Sequence, residues 1–123
     1  MQAVRRIALY VLAIFFIVAG INHFVHPGVY VRIVPPWLAA PAALVQISGA
    51  CEILGGIGVS IPHTRRLAGA GLIALLVAVF PANVQVAQHP GLYADLGTAL
   101  EFYVRLPLQL VLIAWVWWTC ITR

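Results

Sequence analysis

The sequence predicts an all-α fold, a polytopic membrane protein built as an antiparallel bundle of four transmembrane helices. Of the 123 residues, 63% are apolar and only 8% are charged, whereas charged residues make up about 25% of an ordinary soluble domain. Long stretches of the chain contain no Asp, Glu, Lys or Arg. This composition excludes a soluble globular protein and a disordered one, and the length predicts one domain over residues 1–123.

Four segments are long and apolar enough to cross a membrane, which takes roughly 17–25 residues. Three lie in the uncharged stretches 7–31, 67–94 and 106–122, and the fourth is interrupted only by Glu52. We expect helices at about 7–24, 42–61, 67–88 and 106–121. The first is predicted to be an uncleaved anchor, because no A-x-A cleavage motif ends it and three more spans follow.

The arginines predict the orientation of the bundle. Arg5 and Arg6 precede the first span, Arg65 and Arg66 fill the turn between the second and third, and Arg123 follows the fourth. With four spans these positions share one side, which the positive-inside rule assigns to the cytoplasm. We therefore expect both termini to be cytoplasmic. Arginines that act as topology signals do not indicate nucleic-acid binding.

Prolines and glycines mark the connections between the spans. His26-Pro27-Gly28 stops the first helix, and the same tripeptide recurs as His89-Pro90-Gly91 after the third. A short segment at the membrane surface is expected within 25–41. Thr64 is predicted to cap the third span. Small residues in the second and third spans predict that these two helices pack closely.

Pro81 lies inside the third span, where it must kink the helix and free the carbonyl of Val77. Asn83 is most simply the donor that stabilises this kink, and a role in a pocket is the second interpretation.

Polar side chains within the spans concentrate in the halves next to the outward loops. They are Asn22, His23, Gln46, Ser48, Glu52, Asn83, Arg105 and Gln109. The opposite halves are almost purely apolar. This asymmetry predicts a polar pocket between the helices that opens to the outer side or the outer leaflet.

Glu52 and His23 are the predicted catalytic residues of this pocket. Glu52 lies about 15 Å deep, and a charged acid near the bilayer centre costs at least about 2.5–3.5 kcal/mol on insertion scales. It must therefore face the bundle and be paired or protonated. We interpret it as a carboxyl that exchanges protons, with His23 as a relay. The alternatives are a carboxyl satisfied by a neighbouring helix and a helix-end histidine bonded to backbone.

The other polar residues are predicted to bind a ligand: Asn22, Gln46, Ser48, Asn83, Arg105 and Gln109. Arg105 and Gln109 are four residues apart and share a helix face, which suits a carbonyl or anionic group. Arg105 has the alternative of pairing with Glu101 at the membrane surface. No metal site is predicted, because the separations of His23, His26 and His89 match no metal motif closely.

Several short motifs resemble the DoxX and DoxX-like family of small four-helix membrane proteins. They are Gly20-Ile21-Asn22-His23-Phe24 with Pro27, Tyr30 and Pro35-Pro36; Ser48-Gly49 with Glu52-Ile53-Leu54-Gly55-Gly56; Pro62 with Thr64-Arg65-Arg66-Leu67-Ala68; Ala78-Val79-Phe80-Pro81-Ala82-Asn83; and Arg105-Leu106-Pro107-Leu108-Gln109 with Trp115. The resemblance covers essentially the whole chain. It implies a four-helix inner-membrane protein, with His23, Glu52, Asn83, Arg105 and Gln109 as its candidate site.

The name-giving members of that family are subunits of a thiosulfate:quinone oxidoreductase. The resemblance therefore implies a redox-associated subunit that binds a quinone or a similar lipophilic molecule and works with a soluble or membrane partner subunit. Two other hypotheses stay open. One is a non-enzymatic assembly or maturation factor that holds a partner's transmembrane helix, and the other is a small transporter, which could be a homo-oligomer.

Overall fold

The computed structural model describes residues 2–122 and is all-α. Four helices are long and apolar enough to cross a membrane. They are α1 (Gln2–Val25), α3 (Pro41–Ser60), α4 (Arg65–Gln88) and α5 (Ala99–Val116), the last continuing as a π-helical turn over Trp117–Ile121. A short helix α2 (Pro27–Ile33) follows α1, and a 3₁₀ turn (Pro90–Tyr93) follows α4.

The first and last long helices begin earlier than predicted, at Gln2 and Ala99 instead of residues 7 and 106. The predicted ends were placed at the first uncharged residue. Arg and Glu are good helix formers, and their long side chains can carry the charge away from the apolar stretch. As a result Arg5 and Glu101 lie inside helices, and Pro107 lies within α5. Arg123 lies outside the described residues.

The long helices run antiparallel, which gives the bundle two ends. The terminal side holds the start of α1, the 61–64 turn and Thr122. At this end the Arg5 guanidinium donates to the carbonyl of Thr122. The loop side holds the segments 26–40 and 89–98. Near the terminal side, the Trp115 indole donates to the carbonyl of Ala8 at 3.1 Å, which ties α5 to α1.

Helices α1 and α3 pack with their backbones in close approach. A methyl group built at Gly20 would lie 2.5 Å from the carbonyl oxygen of Gly49, and one at Gly56 would lie 2.8 Å from that of Ala13. Small residues at such crossings let helices approach closely in lipid. The small residues of α3 therefore allow close packing against α1 as well as against α4.

Contact between α3 and α4 uses other glycines of the same helix. A methyl group at Gly55 would collide with the side chain of Leu72, and one at Gly58 would lie 2.6 Å from the Cβ of Ala68. Gly71, another small residue of the third span, has open space around it. The predicted close packing of α3 and α4 therefore uses some of the glycines in these spans and not all of them.

Buried apolar residues form a large cluster toward the terminal side and a small one on the loop side. The larger comprises Leu9, Leu12, Ala13, Phe16, Val59, Leu72, Leu76, Val116 and Cys120. The smaller comprises Val86, Ala87, Tyr93 and Phe102. Large apolar side chains also cover the outside, with Leu67 at 80% exposure. An apolar surface of this kind is what a lipid bilayer covers.

Thr64 stands just before α4, as predicted, but does not cap it. Its hydroxyl donates to the carbonyl oxygen of Gly58 at 2.7 Å and so satisfies the end of α3. The reason is the tight turn, which brings the last carbonyls of α3 to the hydroxyl. Thr64 also has φ −107° and ψ −2°, whereas a capping residue needs an extended ψ.

A side chain of α5 bonds to α4 beside the Pro81 kink. The amide of Gln109 donates to the carbonyl of Leu76, one residue before the freed carbonyl of Val77. Asn83 in turn donates to the side-chain oxygen of Gln109. The prediction that Asn83 itself supplies the donor at the kink is therefore wrong, because its side chain points toward α5.

The two His-Pro-Gly segments adopt the same backbone conformation at their histidines. His26 has φ −126° and ψ 59°, and His89 has φ −129° and ψ 56°. Each histidine ends a long helix, and each following proline begins a new one, since proline suits the first turn of a helix. The first continues for two turns as α2, and the second stops after one 3₁₀ turn.

Candidate functional site

A histidine and a glutamate meet between α1 and α3. His23 Nε2 lies 3.2 Å from Glu52 Oε2, and both side chains are largely buried. The close approach of the two helices produces this contact, since a methyl group at Gly49 would lie only 2.8 Å from the Cβ of His23. The two residues predicted to be catalytic are therefore in direct contact.

The other ring nitrogen of His23 determines where its proton lies. Nδ1 is 3.1 Å from the carbonyl oxygen of Val45. A carbonyl only accepts hydrogen bonds, so Nδ1 must carry a hydrogen, and in a neutral ring Nε2 is then bare. One proton shared by the pair would lie either on Glu52 as a carboxylic acid or on His23 as an imidazolium.

The contact between the two side chains is short but is not an aligned hydrogen bond. Glu52 Oε2 is buried and makes no hydrogen bond to any of residues 2–122. The 3.2 Å separation from His23 Nε2 is thus an electrostatic contact. A buried carboxyl oxygen without a hydrogen bond is costly, so a donor brought by a ligand would stabilise this site.

A cavity of about 320 Å³ opens beside the pair on the loop side of the bundle. Its walls come from all five helices and from the segment 34–38. The polar lining residues are His23, Tyr30, Ser48, Glu52, Asn83 and Arg105. The apolar ones are Ile33, Val34, Pro35, Leu38, Leu44, Val45, Ala78, Val79, Pro81 and Ala82. Apolar walls with a few convergent polar groups are typical of sites for small molecules.

Tyr30 belongs to this site, although it is not among the predicted site residues. Its ring lies 4.0 Å from that of His23, centroid to centroid, at an angle of 37°. Its hydroxyl accepts a hydrogen bond of 2.6 Å from the side-chain amide of Asn22. The signal for this placement was the Pro27-Gly28 break, which lets α2 turn back over the end of α1.

Arg105 lines the cavity from α5 and carries a full charge at its wall. Its guanidinium carbon lies 5.7 Å from the centre of the Phe102 ring. No ion pair joins it to Glu101 among the described residues. The predicted pairing with Glu101 is therefore not made, and binding of a ligand by Arg105 stays a prediction.

Three of the predicted ligand-binding residues are outside the cavity. Gln46 is exposed on another face of α3, because six residues along a helix turn the side chain well away from Glu52. Asn22 holds the hydroxyl of Tyr30. Gln109 is buried and bonded to α4. The last two support the walls of the cavity and do not face its interior.

An ion pair outside the spans holds the loop side together. The guanidinium of Arg32 donates to both carboxylate oxygens of Asp95, at 2.7 and 2.9 Å. The hydroxyl of Tyr93 donates to the carbonyl of Arg32 at 3.1 Å. The nearby guanidinium lowers the pKa of Asp95. The ion pair and the hydrogen bond from Tyr93, together called the clasp, fasten α2, which carries Tyr30, to the segment that follows α4.

Fold and site together define a class of protein: a small helical bundle with four helices able to span a membrane and a ligand-sized cavity lined by a histidine–carboxyl pair. Among residues 2–122, no three His, Cys, Asp or Glu side chains are grouped as metal ligands.

The chain belongs to the family described as Domain of unknown function (DUF8561), whose model matches residues 12–120. No curated protein and no solved structure matches it. The predicted membership of the DoxX family is therefore wrong. The motifs that suggested this membership are short, and several of them have structural causes that any helical bundle can share. Gly20, Gly49 and Gly56 allow close helix packing, and Pro62 to Arg66 make a tight turn.

Proposed function

We propose that this protein is an inner-membrane protein that binds a small lipophilic molecule with a carbonyl or hydroxyl head and exchanges a proton with it. The observation that carries the proposal is the His23–Glu52 pair at the wall of the loop-side cavity. In the proposed orientation both termini are cytoplasmic, since Arg5, Arg6, Arg65 and Arg66 all lie at the terminal side. The cavity then faces the outer leaflet.

The shared proton explains what the pair can do. With His23 Nδ1 held by the carbonyl of Val45, the pair can release the shared proton or take up a second one on whichever partner is unprotonated. A head group hydroxyl would donate to Glu52 Oε2, the buried oxygen without an aligned partner. A carbonyl head would instead accept a proton from the pair.

The remaining polar residues would position the head group. Arg105 supports binding of a carbonyl or an anionic oxygen, because a guanidinium offers several donors in a fixed plane. Ser48 lies one turn from Glu52 on the same face of α3. The apolar walls would hold a tail, which suits a ligand that enters from lipid.

A quinone is the proposed ligand that uses all of these features. Its reduction adds two electrons and two protons to its two carbonyl oxygens, so a site that delivers a proton inside the membrane suits it. The electrons would come from a partner oxidoreductase subunit. In that role the protein would be a quinone-binding subunit.

The test is native mass spectrometry of the full chain gently extracted from its own membrane, followed by titration with decylubiquinol, the hydroquinone form whose hydroxyl can donate to Glu52. We expect Glu52→Gln to bind decylubiquinol at least about tenfold more weakly, the effect of losing a hydrogen bond to a charged group. The amide should keep the fold, since it has nearly the same shape. Gln46→Leu changes an exposed amide six residues away and should bind like the wild type.

Equal binding by the wild type and Glu52→Gln would contradict the proposal. A co-purifying protein without any small molecule would favour the assembly factor. If Glu52→Gln did not accumulate in the membrane while Gln46→Leu did, the carboxyl would be structural.

A further inference from the structure

A second cavity, of about 310 Å³, lies at the opposite end of the bundle. Its walls come from the start of α1, the turn before α4 and the end of α5. Four of the seven arginines of the chain line it: Arg5, Arg6, Arg65 and Arg66. These come from two distant parts of the sequence. Topology requires arginines on one side of the membrane, but it does not require them to converge on one cavity.

This cluster of arginines has no acidic side chain to balance it. The sequence contains only three acidic residues. Glu52 lies beside the loop-side cavity, Asp95 is paired with Arg32, and Glu101 stands in the first turn of α5 on the loop side. Like charges held together repel one another, so an anion between them is favourable.

Two of the guanidinium groups are held in place by backbone carbonyls. Arg65 Nε donates to the carbonyl of Val59 at 2.7 Å, and Arg5 Nη2 donates to the carbonyl of Thr122. The Nη groups of Arg65 make no hydrogen bond to the described residues and remain available. Guanidinium groups held in this way suit a phosphate, because each can donate two parallel hydrogen bonds to two of the phosphate oxygens.

The position in the chain adds to the attraction for an anion. Arg65 and Arg66 are the first residues of α4. The start of a helix carries partial positive charge, so cations are unfavourable there and anions are stabilised. The arginines thus increase a positive potential that the backbone already creates.

The surroundings of the cavity indicate a lipid as the source of the phosphate. Ile7 and Leu67 directly follow Arg6 and Arg66, and they are 65% and 80% exposed. They begin the apolar surface of the spans, where acyl chains would lie. Basic pockets between helices at the membrane boundary bind anionic lipid head groups.

We propose that the terminal-side cavity binds the phosphate of an anionic phospholipid, whose acyl chains lie along Ile7 and Leu67. The proposal does not depend on the loop-side cavity or its ligand. It predicts that the protein carries a preferred lipid in the leaflet at its terminal side.

The test uses the purified full chain in detergent and compares phosphatidylglycerol with phosphatidylcholine of the same acyl chains by native mass spectrometry. The wild type should retain phosphatidylglycerol in preference. Arg6→Gln combined with Arg66→Gln should weaken that binding about 30-fold, because each basic side chain near a membrane surface contributes about fivefold. Both are exposed and make no hydrogen bond to the described residues, so the fold should persist.

Arg32→Gln removes one positive charge at the other end and serves as the control. It should bind phosphatidylglycerol like the wild type. Arg6→Lys combined with Arg66→Lys keeps the charge and should recover most of the binding lost in the glutamine variant.

If the glutamine variant does not fold, a salt titration of the wild type tests the proposed binding of an anionic lipid. Phosphatidylglycerol binding should fall as ionic strength rises, while phosphatidylcholine binding should not. Equal retention of the two lipids, or undiminished binding by the glutamine variant, would overturn the proposal. If inorganic phosphate binds as tightly as the lipid, the site takes free phosphate and the lipid assignment is wrong.

Discussion

The two cavities of this protein are nearly equal in volume, about 320 and 310 Å³, yet they are built on opposite principles. The loop-side cavity has mostly apolar walls and one histidine–carboxyl pair in direct contact. The terminal-side cavity has four arginines and no acidic side chain. The first is suited to a neutral head group with an apolar tail, and the second to a compact anion.

The difference shows how each kind of site depends on helix packing. The pair of His23 and Glu52 exists only because glycines bring α1 and α3 into backbone contact. The arginines reach their cavity on long side chains from the ends of helices. Changes in helix packing should therefore disrupt the loop-side cavity first.

The largest effect is expected for Gly49→Leu. A side chain at Gly49 would collide with His23 and approach the carbonyl of Gly20, and overpacking of this kind costs about 1–3 kcal/mol or more. Thermal unfolding in detergent should show a clear loss of stability together with loss of ligand binding at the loop side. Gly71→Leu introduces the same side chain into open space and should stay close to the wild type. Equal stability of the two variants would contradict the packing described here.

A smaller effect is expected for Gln109→Leu, which removes the side chain linking Asn83 to the carbonyl of Leu76. Hydrogen bonds between membrane helices contribute about 0.6–2 kcal/mol each. The unfolding temperature in detergent should fall moderately, and the wall of the loop-side cavity near Pro81 should become less ordered. Gln46→Leu is the matched control on an exposed site. If both variants unfold alike, Gln109 does not support the cavity.

The smallest effect is expected for the clasp, and it depends on pH. Arg32 lowers the pKa of Asp95 in the folded protein. The clasp therefore contributes fully above the ordinary pKa of an aspartate and is lost as pH falls through the lowered value. Both groups are exposed, so the gain is small.

Hydrogen exchange of the wild type and Asp95→Asn measures this contribution. At neutral pH the variant should exchange faster in α2 and in residues 90–95, while the 61–66 turn at the terminal side should be unchanged. The difference should disappear at a pH below the lowered pKa of Asp95. A difference that persists there would exclude the ion pair as its cause.

Part of the candidate site follows from the sequence. A carboxyl in the middle of an apolar span must face other helices, whatever their arrangement, so Glu52 could be singled out directly. Tyr30 was missed and Gln46 was misplaced for a related reason. An exposed face and a buried face of a uniformly apolar helix look alike, and a loop that folds back over a helix leaves no periodic signal.

The number of helices long and apolar enough to span a membrane and the uneven distribution of the arginines are properties of composition along the chain. Each segment must meet the requirements of lipid separately. The contact of His23 with Glu52, the bond from Gln109 to α4 beside Pro81 and the convergence of Arg5 with Arg65 are different. Each joins residues distant in sequence. These contacts arise only when the packed helices fix how closely and at what register they meet, which no single segment encodes.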